Sequence, residues 1–141
     1  MRAAIGTNNV DHCARLCHAS TVAGLAITLG SGAMTNSIAE AADQDVVFVT
    51  GSNTTETHPV IGSLIRQAKR KGAKIIVAEP RRIPLCREAD VFLQIKPGTN
   101  VALFNGMMNV IISEGLQDQK YIGQRTEGYA ELVETVKDYT P

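Results

Sequence analysis

The sequence lacks a net charge: 14 Lys and Arg residues balance 14 Asp and Glu residues. It therefore sets up no global basic field of the kind that draws nucleic acid. It also lacks any apolar run of about 18 residues, so no segment reads as a membrane-spanning helix, and no signal peptide opens it. Cysteine is scarce. Three cysteines, at the uneven positions Cys13, Cys17 and Cys86, do not make a disulfide framework; they point to a reducing, cytoplasmic setting. The Gly-x-Gly-x-x-Gly fingerprint is missing, which removes a NAD-dependent dehydrogenase from consideration. Aromatic residues make up 4% of the chain against 44% hydrophobic overall, an ordinary globular profile. The 141 residues suffice for a single domain with a real core. Internal repeats, low-complexity tracts and linkers are absent too.

What is present reads as alternating strand and helix. Residues 45–50 and 74–78 are continuous apolar runs of strand length, the pattern of strands buried on both faces of a parallel sheet. Between them, residues 57–71 form a helix with Pro59 in its first turn. Val60, Ile61, Leu64, Ile65 and Ala68 make its apolar stripe. Arg66, Lys69, Arg70 and Lys71 gather at its C-terminal end, where the helix dipole favours cations, and Gly72 stops it. The bland reading of this cluster, a solvated helix end, is better than a nucleic-acid patch. Strand, helix and strand make a βαβ unit spanning 45–98 with its exit loops, and a third strand covers 91–95. Residues 99–114 are apolar on most sides and predict a deeply buried helix, whose methionines read as core. Shorter helices cover 118–124 and 128–138. Before the first strand, Ser20 is a plausible N-cap for a helix over 21–29, and another short helix covers 36–42. Residues 1–19 read as loop, apart from a short element at 2–5.

In open parallel sheets, ligands bind beyond the carboxyl ends of the strands. Three such ends are polar: residues 50–57, with Gly51, Asn53, Glu56 and Thr57; residues 79–82, with Glu79, Pro80, Arg81 and Arg82; and residues 96–100, with Gly98 and Asn100. A glycine permits close backbone approach, and the following helix offers free N–H groups to a phosphate. An acid at a strand end suits ribose hydroxyls or a guanine edge, and an arginine suits a phosphate. Each loop taken singly has a structural alternative, with turn glycines and Asn caps. Three converging loops are harder to dismiss.

The densest chemistry lies in residues 6–18, which hold two cysteines, two histidines, an arginine and an aspartate. A thiolate is a soft metal ligand and a nucleophile. A closed zinc site would need about four ligands, and Cys13-x-x-x-Cys17 is not the usual zinc spacing. A Cys17–His18 nucleophile is disfavoured because adjacent helical residues do not face each other. The structural alternative is a buried apolar thiol beside a surface histidine.

Thr7-Asn8-Asn9-Val10-Asp11, Cys13-Ala14-Arg15 and Cys17-His18, followed by Val22-Ala23-Gly24-Leu25, resemble the metal-ligand segment of formate dehydrogenases. Those enzymes belong to the molybdopterin (DMSO reductase type) oxidoreductases. The resemblance runs through nearly the whole chain, to Arg125-Thr126-Glu127-Gly128 and Tyr139-Thr140-Pro141. It implies a partial, three-layer Rossmann-like α/β cofactor-binding domain over 1–141, with 1–19 as the metal-ligand loop, and a chain that is a fragment of a larger catalytic subunit. It implies Cys17 as the ligand to molybdenum or tungsten and His18 beside the substrate. Related nitrate reductases commonly place methionine where His18 stands. It implies one molybdopterin guanine dinucleotide bound through Gly51, Asn53, Glu56, Thr57, Glu79, Pro80, Arg81, Gly98 and Asn100. Two departures matter: Ala78 offers no side-chain contact, and Glu56 and Glu79 stand where relatives have shorter aspartates. The implied reaction oxidises formate to carbon dioxide. Electrons would pass to a 4Fe–4S cluster in the parent protein, since the cysteines for that cluster are not in this chain. The implied partners are the remaining domains of the subunit and electron-transfer subunits. Alone, the fragment is expected to be inactive. The alternatives are a non-catalytic nucleotide-binding or structural domain, or another member such as a nitrate reductase.

Overall fold

A computed structural model of the chain describes residues 2–141. In chain order its elements are α1 (Arg2–Ile5), α2 (Ala14–Cys17), α3 (Ala19–Leu29), a 3-10 turn (Ile38–Ala42), β1 (Val46–Thr50), α4 (Thr54–Thr57), α5 (Pro59–Arg70), β2 (Lys74–Ala78), a second 3-10 turn (Pro84–Arg87), β3 (Val91–Leu93), α6 (Asn100–Ser113), α7 (Gln119–Arg125) and α8 (Tyr129–Val136). Among the described residues, no helix is long and apolar enough to cross a membrane.

The strands lie parallel in the order β1-β2-β3. Val46 pairs with Lys74 and Thr50 with Ala78, while Ile76 pairs with Val91 and Ala78 with Leu93. This is the α/β parallel fold that the two apolar runs predict. The third strand is shorter than expected, ending at Leu93.

Side chains alternate across a strand, so Val47, Val49, Ile75 and Val77 share one face. They close on Ile65 of α5, on Ile83 just before the second 3-10 turn, and on Leu85 and Cys86 within it. Ile75, Val77 and Leu85 are wholly buried, and each contributes about 1.5–3 kcal/mol through removal from water. The opposite face is only half covered, which corrects the expectation of two closed faces. There Phe48 meets Phe104 of α6 edge-on, with ring centroids 6.0 Å apart, while Val46 is 55% exposed.

Helix α5 begins at Pro59 and buries Gly62, Ile65 and Ala68. Val60, placed on its stripe from sequence, instead faces solvent at 71% exposure, one helical step outside the buried arc. The basic end is not simply solvated. Arg66 pairs with Glu88 (2.8 Å), Lys69 with Asp90 and Lys71 with Asp43. These pairs tie the helix end to the entries of β1 and β3.

Asp90 is the densest of these knots. It accepts from Lys69 Nζ at 2.5 Å, from the Ile75 amide at 2.8 Å and from Lys74 Nζ at 3.4 Å. The Lys69 hydrogen bond, aided by the Ile75 amide, holds its carboxyl well below the usual aspartate range. A depressed carboxylate stabilises the fold fully above its unfolded value, near about pH 4, and loses that contribution as pH falls through the folded value. Asp90→Asn is therefore expected to lower the melting temperature at neutral pH, with the gap to the natural chain narrowing steadily below about pH 4. Thermal melts across that range check it, and a gap independent of pH would show that the charge is not responsible.

Three further expectations are corrected. Helix α6 has no buried residue. It docks on β1 through Phe104 and on α8, where Asn109 Nδ2 donates to the carbonyls of Val136 (3.0 Å) and Lys137 (3.1 Å). Most of its residues are half-buried, while Val101 is 65% exposed. Helix α3 starts at Ala19, after His18 rather than after Ser20, because the turn of α2 ends immediately before it. And residues 14–17, read as loop, form that helical turn. Ahead of β1, Glu40 accepts from Ser37 N–H (3.0 Å), Ser37 Oγ (2.8 Å) and Asn36 Nδ2 (2.8 Å). Those bonds, the one from Asn36 foremost, lower its carboxyl to about 2 and fix the expected short helix over 36–42 as a 3-10 turn.

Candidate functional site

The loops leaving β1 and β2 are brought together at the carboxyl edge of the sheet. Gly51 takes a left-handed conformation (φ +59°), and its amide reaches the Ala78 carbonyl at 3.4 Å. A side chain at Gly51 would meet no atom within 4 Å, so the glycine serves the turn and leaves the space above it open. Asn53 precedes α4. Its Oδ1 accepts from Thr55 Oγ1 at 3.3 Å, and its carbonyl accepts from Thr57 Oγ1 at 3.0 Å. Glu56 and Thr57 are exposed.

Helix α4 is held against α5 by a close approach. A Cβ on Gly62 would stand 3.1 Å from Thr55 Cα and 3.3 Å from the Thr54 carbonyl. Thr54 is thereby buried at 8% exposure, and its Oγ1 has no hydrogen-bond partner. Sequence reasoning missed this residue. Its only signal was its position, between the glycine turn and the proline-started helix.

At the end of β2, Glu79 is 7% exposed. Its amide donates to the Leu93 carbonyl at 3.1 Å, which pins the residue between β2 and β3. Its Oε1 lies 3.7 Å from Arg81 Nε, while its Oε2 is buried without a partner. Three buried side-chain oxygens lack partners among the described residues, and two of them, on Thr54 and Glu79, belong to these strand-end segments. Buried polar atoms are ordinarily paired, so these two oxygens are free to accept from a donor that the described residues do not supply. Arg81 is exposed apart from that contact with Glu79. Pro80 has its carbonyl held by Gln94 Nε2 at 3.1 Å. Arg82 lies over the Phe92 ring, 5.9 Å from its centroid, and is thus turned to packing.

The third loop leaves β3 through Gly98, also left-handed (φ +85°) and also in open space. Thr99 Oγ1 bonds the Lys96 carbonyl at 2.8 Å. Asn100 is the first exposed residue of α6 rather than its cap.

The thiol segment stands apart from these loops. Cys17 is the last residue of α2, and His18 breaks helical geometry (φ −150°) before α3 begins. Both are exposed, against the reading of Cys17 as a buried apolar thiol. Arg15 is engaged by Asp11, the structural role its position allows. No side-chain hydrogen bond or ion pair links this segment to the strand-end loops among the described residues. Nor do any three His, Cys, Asp or Glu residues gather there as a self-sufficient metal site. Cys17 therefore has only isolated thiol chemistry to offer in this segment, without the companion ligands of a closed metal site.

A family model described as molybdopterin oxidoreductase matches residues 1–130. The chain is 55% identical over 140 residues to the F420-dependent formate dehydrogenase subunit alpha of Methanocaldococcus jannaschii, covering 99% of this chain and 21% of that protein. It is 49% identical to formate dehydrogenase H of Escherichia coli, covering 99% of this chain and 20% of that enzyme. Among solved structures it superposes on acetylene hydratase from Pelobacter acetylenicus with a TM-score of 0.79 at 34% identity, over 90% of this chain and 17% of that one. The chain therefore spans about a fifth of the length of the curated relatives it matches.

Proposed function

Because this chain belongs to the molybdopterin oxidoreductase family, we propose that it is the metal-ligand and nucleotide-binding segment of a formate dehydrogenase alpha subunit. Membership implies a molybdopterin cofactor carrying molybdenum or tungsten; the guanine dinucleotide form is our finer reading. The observation that carries the proposal is the Cys17-His18 pair, exposed at the end of a helical turn, in a chain 49% and 55% identical to two formate dehydrogenases.

The residues present fit such a cofactor. Glu79 Oε2 and Thr54 Oγ1 are buried acceptors without donors, suited to the N–H edge of a guanine or to ribose hydroxyls. Gly51 and Gly98 leave their turns open for backbone approach. Asn53, Glu56 and Thr57 line the first loop, Pro80 and Arg81 the second, and Asn100 the third; Arg81 is the group for a phosphate.

Held by Cys17 and the strand-end loops, the bound cofactor would supply the two-electron redox chemistry of formate oxidation, with an iron–sulfur cluster outside this chain as the electron acceptor. The chain's own part is to hold and tune. Cys17 supplies a thiolate ligand. His18, whose ring nitrogens can both accept and donate a proton, takes up the proton released from substrate and relays it outward. The remaining domains of the subunit complete the site, and electron-transfer partners receive the electrons.

The test is formate-dependent reduction of a viologen dye by the full-length protein, prepared anaerobically. Reduction with formate supports the reading. A metal-loaded protein that ignores formate but oxidises the reduced dye with nitrate moves the assignment to another activity of the family. A protein that binds neither pterin nor metal leaves a non-catalytic nucleotide-binding module.

A further inference from the structure

Cys13 and Cys17 stand at the two ends of one exposed helical turn. Cys13 precedes α2 with helical dihedrals (φ −60°, ψ −28°), and its carbonyl accepts the Cys17 amide at 3.0 Å. Residues four apart share a helix face, with Cβ atoms about 5–6 Å apart. A disulfide needs about 3.5–4.5 Å, so closure asks for a shift of about 1–2 Å. Little here resists it. The turn is four residues long and buries none of them, and Leu16 within it is 95% exposed. The chain already leaves helical geometry at His18. Both thiols are exposed, whereas the third, Cys86, is buried in the core. The reaction proposed above uses Cys17 and gives Cys13 nothing to do.

We propose that Cys13 and Cys17 form a dithiol modification site, which a small-molecule disulfide converts to an intramolecular disulfide in cofactor-free protein. The Cys17 thiolate attacks one sulfur of the small disulfide, and the first small thiol leaves, taking a proton. The Cys13 thiolate then attacks Cys17 Sγ; the Cys13–Cys17 bond forms, the mixed disulfide breaks and the second small thiol leaves with the other proton. Two protein thiols lose two electrons, and one small disulfide gains them. The second step is intramolecular and outpaces attack by a further small disulfide. Closure withdraws Cys17 from the thiolate state that binds metal, yet stores it reversibly, short of the sulfinic and sulfonic acids that cannot be recovered. That last consequence rests on Cys17 being the metal ligand; the closure itself does not.

The experiment treats the full-length, cofactor-free protein with glutathione disulfide, blocks the remaining thiols and weighs the peptide carrying residues 13 and 17. The natural chain should yield that peptide two hydrogens lighter and free of glutathione. Cys13→Ser should retain glutathione on Cys17 at a level at least about tenfold higher, because the expelling thiol is gone. A persistent adduct on Cys17 in the natural chain, equal to that of Cys13→Ser, or separate adducts on both cysteines, overturns the proposal. Cofactor-loaded protein is run in parallel. Protection there supports Cys17 as the ligand, whereas equal closure with and without cofactor leaves the dithiol standing and removes the ligand.

Discussion

Cys17→Ala is expected to abolish formate-dependent dye reduction in the full-length protein, by well over about a hundredfold. That floor follows from metal sites in general, where altering a mere outer partner of a ligand costs about 10–100-fold. The prediction is clean because of where Cys17 sits. It is exposed, ends a single helical turn and makes no side-chain hydrogen bond. Surface substitutions of this kind change stability by no more than about 0.5 kcal/mol. A loss of activity with an unchanged melting temperature therefore reports on the metal. Metal and pterin content measured on the same preparation separate a ligand lost from a cofactor lost. A variant that keeps its rate with formate would remove Cys17 from the chemistry altogether.

Leu85→Ala should give the largest effect on stability. Leu85 lies in the 3-10 turn after β2 and is wholly buried against Ile75 and Val77. Deleting its side chain removes the transfer free energy of the lost carbons and leaves a cavity, together about 3 kcal/mol. For a domain of this size that corresponds to a melting temperature lower by about 10 °C. Leu85→Met, nearly equal in volume, is the control and should cost less than about 1.5 kcal/mol. A shift below about 2 °C for the alanine variant would show that the turn is not packed as described.

The parts of the fold governed by local pattern were legible. β1, β2 and α5 were read within two residues of their ends, because apolar runs of strand length and a proline-started amphipathic stripe leave few alternatives. The glycines of the strand-end loops were also readable: Gly51 and Gly98 both take the left-handed conformation that turn chemistry suggests. What depends on tertiary placement was not. The helix over 100–113 is apolar nearly all round, and that pattern says only that much of its surface prefers cover. It cannot say which element supplies the cover, and α6 finds it on only some of its sides. Thr54 escaped notice because its burial comes from Gly62, eight residues away, letting α5 close on α4. The helical turn at Cys17 escaped because four residues are too few to show a period. The resemblance carried the reading of Cys17 and His18; no spacing argument would have singled them out.

Among the described residues the sheet has three strands, and β1 forms one of its borders. Along that border run five residues with no lysine or proline among them, beginning at the half-exposed Val46. Such a border presents unpaired backbone donors and acceptors that template the addition of another strand, and proteins usually guard against this with charge, proline or a bulge. Expressed by itself, this stretch of polypeptide is therefore aggregation-prone by β1-to-β1 pairing. Its zero net charge supplies no repulsion to oppose that contact. A soluble version is to be sought by guarding that border.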